Sequence, residues 1–264
     1  SVGRGMEKTA PIGVFDSGVG GLGTLKALQK QLPHENFVFY GDNANAPYGT
    51  KETERIRALS FACTDFLLAK RCKTIVIACN TASSAAKEEL RQAYDVPFVA
   101  MEPAIAPAGR ARKDGWVLVM ATPATLRQPL FVYRVKKCGL EGHVLPVPCP
   151  KLVELIERGA VLGEETYHAI EQAFLPYGDK QVDAIVLGCT HFIHAKRQIR
   201  QCADTIWPGV PLMDGNQGTA VQLERILNQY AMRNEQTGPG KIELCTSGDP
   251  EIYLPLFETL MRQG

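Results

Sequence analysis

The fold is indicated by two similar stretches of sequence, KTIVIACNT at residues 73–81 and VDAIVLGCTH at residues 182–191. Each is a continuously apolar run of strand length that ends in a cysteine followed by polar side chains. Continuous apolar runs are typical of parallel strands that are covered on both faces of a sheet. Cys79 and Cys189 are therefore expected at equivalent strand ends of two related units.

Two further strand pairs recur in the same order and at a similar spacing: Ile12–Phe15 with Val117–Met120, and Val96–Val99 with Val210–Met213. Helical patterns separate the apolar runs, and this alternation predicts parallel sheets flanked by helices. We therefore predict an α/β fold of two similar α/β domains, with mainly parallel sheets related by a pseudo-twofold axis and an active site at the domain interface. The first domain is expected to be discontinuous, residues 1–98 plus 211–264, and the second to span residues 99–210.

The composition excludes several classes of protein. Apolar residues make up 45% of the chain, and 29 Lys and Arg against 28 Asp and Glu leave a net charge of +1. Nucleic-acid and membrane surfaces both require a basic excess, so neither is an expected partner, and no apolar run approaches the ~20 residues of a spanning helix. Met6 is the expected native start, with no secretory signal. Eight cysteines without such a signal indicate reduced thiols and a cytoplasmic protein.

Both cysteines of the repeated stretches are predicted at strand-to-helix turns, on the edge of a parallel sheet where ligands bind. A helix N-terminus lowers the pKa of a nearby thiol, so Cys79 and Cys189 are expected to be reactive. Stereochemical inversion needs two like acid–base groups on opposite faces of one carbon atom, because one removes a proton while the other supplies one. The remaining six cysteines are expected to be small core residues.

Other predicted strand ends add candidate groups to the same edge. Asp16 follows the first strand and is a candidate either to orient or deprotonate a cysteine or to cap the next helix. The loop Pro47–Thr50 has amides and hydroxyls that suit a carboxylate, or it forms an ordinary turn. Thr122 and Thr125 occupy the matching loop of the second repeat. Glu157, on a predicted helix, is a candidate acid or a solvated surface residue.

Four segments, in order along the chain, resemble the signatures of the glutamate racemases, the cofactor-independent branch of the aspartate/glutamate racemases. They are DSGVGGL at 16–22, PYGT at 47–50, CNT at 79–81 and GCTH at 188–191. The resemblance extends over nearly the whole chain and implies two α/β domains with the active site between them. It also implies interconversion of L- and D-glutamate without cofactor or metal, as the supply of D-glutamate for peptidoglycan synthesis.

The resemblance further implies a role for each motif residue. Cys79 would remove the α-proton of D-glutamate, assisted by Asp16. Cys189 would remove that of L-glutamate, assisted by His191 and Glu157. The substrate would be held by Asp16, Ser17, Tyr48, Gly49, Asn80, Thr81, Thr125, Thr190 and His191.

Two departures from the family pattern accompany this resemblance. Family members often carry glycine near residues 121–125, so which threonine of that loop contacts the substrate stays open. The chain also lacks the long N-terminal extension of members that are regulated by a cell-wall precursor. Activation of that kind is therefore not expected.

An NAD-dependent oxidoreductase is an alternative on the sequence alone. Gly18, Gly20 and Gly23 form a G-x-G-x-x-G pattern after a strand, and Asp42 ends the next strand, where a ribose-binding acid would lie. Against this alternative, Asp16 directly precedes the pattern and would repel a pyrophosphate. The two cysteines would also have no role.

Three further alternatives remain. Cys189, His191 and His194 suggest a metal-dependent hydrolase, although no C-x-x-C pair is present and His194 also suits a packing role. A racemase of aspartate or another small amino acid, and a non-catalytic amino-acid-binding module, are the others. The sequence leaves the oligomeric state open, with a homodimer as one candidate.

Overall fold

The computed structural model describes residues 7–263, so the expected start at Met6 lies outside the described residues. The strands, in chain order, are β1 Ile12–Asp16, β2 Phe37–Gly41, β3 Thr74–Ile77, β4 Phe98–Ala100, β5 Trp116–Ala121, β6 Val144–Pro148, β7 Val182–Leu187, β8 Leu212–Met213 and β9 Ile242–Thr246. The α-helices are α1 Gly21–Gln31, α2 Thr53–Ala69, α3 Asn80–Ala93, α4 Ile105–Ala111, α5 Pro123–Arg127, α6 Pro129–Lys137, α7 Pro150–Glu157, α8 Glu164–Phe174, α9 Thr190–His194, α10 Lys196–Ile206, α11 Asn216–Gln229 and α12 Pro250–Arg262. None of these helices combines the length and apolar character needed to cross a membrane.

The strands form two parallel sheets that share one strand order. The first sheet runs β4-β3-β1-β2 and the second β8-β7-β5-β6, so each strand corresponds to the strand four places later. These correspondences include the three pairs matched in the sequence, and the prediction of two similar parallel α/β units is confirmed. The first sheet continues beyond β2 with β9, a short edge strand that the sequence analysis missed because Glu243 interrupts its apolar run.

Two strands lie across the predicted domain limits. β4 belongs to the first sheet although that domain was expected to end at residue 98, and β8 pairs with β7 of the second sheet although residues 211–264 were expected in the first. In both cases the hydrogen bonds to a neighbouring parallel strand decide the sheet. The division of the remaining residues into domains stays a prediction.

The central strands position the candidate site. β1 and β3 are neighbours in the first sheet and are fully buried, and β7 is an inner strand of the second sheet. Because the carboxyl ends of parallel strands share one edge, Asp16 at the end of β1 and Cys79 after β3 are brought together. Cys189 follows β7 at the equivalent edge of the second sheet.

Candidate active site

Cys79 caps the N-terminus of α3, where its Sγ accepts a hydrogen bond from the Ala82 N–H at 3.4 Å. The residue is only 5% exposed. Burial raises the pKa of the Cys79 thiol, the charge of Asp16 raises it further, and the Ala82 N–H lowers it only in part. The expected lowering of the thiol pKa is therefore wrong for Cys79, because desolvation and a neighbouring carboxylate outweigh the helix N-terminus.

Cys189 occupies the equivalent position before α9, with its Sγ 3.6 Å from Nδ1 of His191. The other ring nitrogen of His191, Nε2, lies 2.6 Å from Oε2 of Glu157. Burial lowers the pKa of His191, but the hydrogen bonds to Cys189 and Glu157 outweigh burial and raise it well above its usual value. As an imidazolium, the ring can donate to the sulfur on one side and to the carboxylate on the other.

Glu157 is not a solvated surface acid, because its side chain is only 13% exposed. Its Oε2 also accepts from the Val19 N–H at 3.2 Å, and its Oε1 accepts from Nδ2 of Asn43 at 2.6 Å. Burial raises the pKa of this carboxyl, yet the bonds from His191, Val19 and Asn43 bring it below its usual value. Val19 and Asn43 follow strands of the first sheet and Glu157 ends α7 of the second unit, so this carboxylate joins the two units.

Asp16 is fully buried at the end of β1. Its Oδ2 accepts from the N–H groups of Gly18 and Gly21 at 3.3 and 2.9 Å, and its Oδ1 accepts from the Thr190 hydroxyl at 3.3 Å. Burial raises the pKa of Asp16. Both interpretations of this residue thus have a structural basis, since the carboxylate caps the first turn of α1 and also acts electrostatically on Cys79.

The glycines after β1 permit the close approach of the second unit. A Cβ on Gly18 would lie 2.1 Å from Oε2 of Glu157, and a Cβ on Gly20 would lie 2.4 Å from Oγ1 of Thr190. The N–H groups of this turn already donate to the carboxylates of Asp16 and Glu157. Because the amides that would bind a pyrophosphate are occupied by protein carboxylates, the NAD-dependent alternative is contradicted.

Three threonine hydroxyls meet where the two units touch. Thr81 Oγ1 lies 2.7 Å from Oγ1 of Thr122 and 3.3 Å from Oγ1 of Thr125. Gly49 lies directly against the loop that carries Thr122 and Thr125. Its carbonyl accepts from the Ala124 N–H at 2.8 Å, and a Cβ on Gly49 would lie 2.5 Å from Cβ of Thr122. Thr122 and Thr125 therefore belong to one cluster of hydroxyls.

The remaining predicted binding residues differ in how free their polar groups are. Tyr48 is buried, and its hydroxyl is already engaged in donating to Oδ2 of Asp42. The Ser17 side chain lies beside Cys79 and lowers the pKa of that thiol slightly. Asn80 is buried, and its Oδ1 has no partner among the described residues. A buried acceptor without a donor favours a ligand at Asn80.

His194 packs inside the protein. Its Nε2 lies 2.9 Å from the carbonyl oxygen of Val19, and burial lowers its pKa to about 4. Within residues 7–263, no three His, Cys, Asp or Glu side chains are grouped so that they could hold a metal ion. The contacts of His194 therefore support the packing role that the sequence suggested for it.

Sequence reasoning gave Asn43 no role and missed Thr246 and Ser247. Asn43 follows β2, and this strand-end position was a usable signal, as it was for Asp16. Thr246 donates to Oδ1 of Asn43 at 2.7 Å, and Ser247 donates to Oδ1 of Asp42 at 2.6 Å. Both hydroxyls lie at the end of β9, outside the repeat, so no local signal linked them to the site.

Comparison with known proteins identifies the family. The Asp/Glu/Hydantoin racemase family model matches residues 22–223. A glutamate racemase of Clostridium perfringens is 42% identical over 256 residues, which is 97% of this chain and 97% of that relative. The chain belongs to the Asp/Glu/hydantoin racemase family. Its resemblance to the glutamate racemases is thereby confirmed, and it is a racemase, an isomerase.

Solved structures lead to the same family. Glutamate racemase from Francisella tularensis in complex with D-glutamate has a TM-score of 0.82 at 30% identity, with 97% of this chain and 95% of that chain covered. The Escherichia coli glutamate racemase, in complex with L-glutamate and the activator UDP-MurNAc-Ala, has a TM-score of 0.82 at 27% identity, with 95% of each chain covered. The whole two-unit fold is therefore shared with glutamate racemases.

Proposed function

We propose that this protein interconverts L- and D-glutamate, with Cys79 and Cys189 as the two acid–base groups, and supplies D-glutamate for peptidoglycan synthesis. The observation that carries this proposal is the equivalence of the two cysteines. Each follows an inner strand of its own sheet and occupies the N-cap position of the next helix, and the charge of Cys189 raises the pKa of Cys79. Relatives that cover nearly the whole chain support glutamate as the substrate.

The two sides of the site differ in charge. Cys189 lies against His191, which as an imidazolium donates to a thiolate, whereas the carboxylate of Asp16 favours the thiol form of Cys79. With L-glutamate bound, the Cys189 thiolate takes the α-proton, and the Cys79 thiol delivers its own proton to the opposite face. One proton leaves and one arrives, so the product is D-glutamate and the two cysteines have exchanged protonation states. Conversion of D-glutamate to L-glutamate follows the same steps in reverse.

Polar groups of both units suit an amino acid with a second carboxylate. The free acceptor Oδ1 of Asn80 suits the ammonium group of the substrate. The hydroxyls of Thr81, Thr122 and Thr125 are donors for a carboxylate. Aspartate is one methylene shorter than glutamate, so its side-chain carboxylate would fall short of donors placed for that of glutamate.

Chiral chromatography of L-glutamate incubated with the dialysed protein tests this proposal. We expect D-glutamate to form up to an equal mixture, and L-aspartate to react about 10- to 200-fold more slowly, the usual effect of one methylene. Formation of D-glutamate only after pyridoxal phosphate is added would overturn cofactor independence. Faster turnover of aspartate would instead make the protein an aspartate racemase.

Serine variants test the role of each cysteine, because a serine hydroxyl keeps the shape of the thiol but is too weak an acid to replace it. Cys79→Ser and Cys189→Ser should each lose at least ~10²-fold in racemisation. In D₂O, Cys189→Ser should still exchange the α-proton of D-glutamate through Cys79, and Cys79→Ser that of L-glutamate through Cys189. Proton NMR of each isomer measures the exchange. Near wild-type racemisation by either variant contradicts the two-thiol mechanism.

We further propose that the protein is a cytoplasmic homodimer. The reaction needs a thiolate and a thiol, which a reducing compartment preserves. Val132 and Tyr133 are neighbouring exposed apolar side chains on α6 and are candidates for contact with a second copy. Cell fractionation tests the location, and sedimentation equilibrium tests the assembly, where the mass of a single chain contradicts the dimer.

A further inference from the structure

A chain of contacts leads from Cys189 to the edge strand β9. It passes from Cys189 Sγ to His191 at 3.6 Å, then to Glu157 at 2.6 Å. From there it continues to Asn43 at 2.6 Å and to Thr246 at 2.7 Å. The first three residues belong to the second unit and the last two to the first, so the chain of contacts crosses between the units.

The amide of Asn43 is held in one orientation. The residue is 6% exposed, and its Oδ1 accepts from Thr246, which leaves Nδ2 to face Glu157. The surroundings are tight, because a Cβ on Gly41 would lie 2.8 Å from Oδ1 of Asn43 and a Cβ on Gly248 would lie 3.2 Å from its Cβ. The two glycines therefore leave room for the Asn43 side chain, which a larger residue at either position would crowd.

We infer that Asn43 is a positioning residue for the proposed racemisation, which holds the Glu157 carboxylate so that the imidazole ring of His191 faces Cys189. The inference rests on the proposed function. The two carboxylate oxygens have different partners, since Oε1 accepts from Asn43 and Oε2 contacts Val19 and His191. Loss of the Asn43 donor would leave Oε1 buried without a partner and would free the carboxylate to rotate.

The hydrogen bond from Asn43 to Glu157 also affects the protonation of Glu157 and His191. The other titratable groups that face the Glu157–His191 pair are Asp16 after β1, Cys189 before α9 and His194 on α9. Because Asn43 can only donate through Nδ2, it favours the carboxylate over the acid, and a carboxylate in turn favours the imidazolium. Removing Asn43 should therefore raise the pKa of Glu157 and lower the pKa of His191.

Nitrogen-15 NMR of the histidine rings tests this inference without any need for turnover. The chain has five histidines, so His191→Asn assigns the relevant signal. Asn43→Ala should lower the pKa of His191 by about one unit, the scale of one hydrogen bond to a charged group. Thr246→Val, which removes only the hydroxyl that orients Asn43, should cause a smaller shift in the same direction.

Asn45→Ala is the matched control. Asn45 lies in the same turn as Asn43, but its Nδ2 donates to Oδ1 of Asp42 and not to Glu157. It should leave the titration of His191 unchanged. An unchanged titration in Asn43→Ala, or an equal shift in Asn45→Ala, overturns the inference.

Isotope exchange separates this inference from the proposed function. In Cys79→Ser, adding Asn43→Ala should slow the exchange of L-glutamate by about 10- to 100-fold, because the histidine beside Cys189 is misplaced. In Cys189→Ser, the exchange of D-glutamate by Cys79 should not change. If Asn43→Ala slows the exchange of L-glutamate and of D-glutamate equally in these two backgrounds, Asn43 has a general structural role and the inference is overturned. If neither cysteine variant exchanges either isomer, the proposed function fails, and the His191 titration still decides the role of Asn43.

Discussion

The backbone N–H of Val19 donates to Oε2 of Glu157 at 3.2 Å, across the boundary between the two α/β units. The same oxygen lies 2.6 Å from Nε2 of His191. The backbone of one unit therefore orients the acid–base pair of the other. Gly18 makes this contact possible, because a Cβ at that position would overlap the carboxylate.

Alanine variants of the glycine turn after β1 should show how much catalysis depends on the close contact between the two units. The new methyl group of Gly18→Ala would lie 2.1 Å from Glu157 Oε2, and that of Gly20→Ala 2.4 Å from Thr190 Oγ1. Each variant displaces a residue of the site, so kcat/KM for glutamate should fall by about 10- to 100-fold.

Gly23→Ala is the control for these variants. Gly23 lies within α1, and the nearest atom to its added Cβ is 3.7 Å away, an ordinary contact. This variant should keep its activity and gain about 0.5–1 kcal/mol of stability, since alanine favours the helix. Steady-state kinetics and thermal unfolding measure both effects. Full activity of Gly18→Ala and Gly20→Ala would show that the close approach of the second unit to these glycines does not matter for catalysis.

Removing the charge of Asp16 should make Cys79 more acidic. Burial raises the pKa of Cys79 most, and Asp16 adds to it. Asp16→Asn keeps the size of the side chain but removes the charge, so alkylation of Cys79 by iodoacetamide should begin at a lower pH. Mass spectrometry of the Cys79 peptide follows this change. Cys149 is the internal control, because its raised pKa comes from burial and from Cys189; if the Cys79 profile does not move, Asp16 does not control that thiol.

The buried His194 should make the protein less stable in acid. Its pKa in the folded protein is about 4, below the ordinary value of 6.5, so the unfolded chain binds this proton more readily between those values. The stabilisation is complete above pH 6.5 and is lost as the pH falls towards 4, at up to about 1.4 kcal/mol per pH unit.

Urea unfolding at several pH values measures this dependence. His194→Gln retains a donor for the Val19 carbonyl but does not titrate, so its stability should vary less between pH 6.5 and 4. His168→Gln, at an exposed position of α8, should keep the wild-type slope. Identical slopes in all three proteins rule out His194 as the cause.

The buried pair Lys73–Glu35 should be essential for stability. Nζ of Lys73 lies 2.7 Å from Oε2 of Glu35 and 2.8 Å from the carbonyl oxygen of Met232, and so ties the segment before β9 to the first sheet. Lys73→Met leaves the Glu35 carboxylate buried without an opposite charge and should cost about 3–5 kcal/mol. Adding Glu35→Gln should recover part of that loss in urea unfolding.

The pair Lys70–Glu243 is the surface control for this prediction. Its side chains are 40% and 52% exposed, so Lys70→Met should cost less than about 1 kcal/mol. Equal losses of stability in Lys70→Met and Lys73→Met would show that burial of the charge is not what matters.

Local patterns in the sequence were sufficient for the two-unit architecture. An apolar run followed by a cysteine marks both β3 and β7, and each pattern lies within about ten consecutive residues. The parallel arrangement then requires that Asp16, Cys79 and Cys189 lie at carboxyl ends of strands. Such features depend on neighbours along the chain, and the hydrophobic period records them directly.

The tertiary fold alone determined the contacts that adjust this chemistry. Asn43 and Glu157 are far apart in the sequence, and β9 brings Thr246 from near the end of the chain into hydrogen-bond contact with Asn43. The direction of the pKa shift of Cys79 likewise depends on burial and on Asp16, which outweigh the local helix N-terminus. Desolvation and hydrogen bonding depend on distances between residues remote in sequence, and no local pattern encodes those distances.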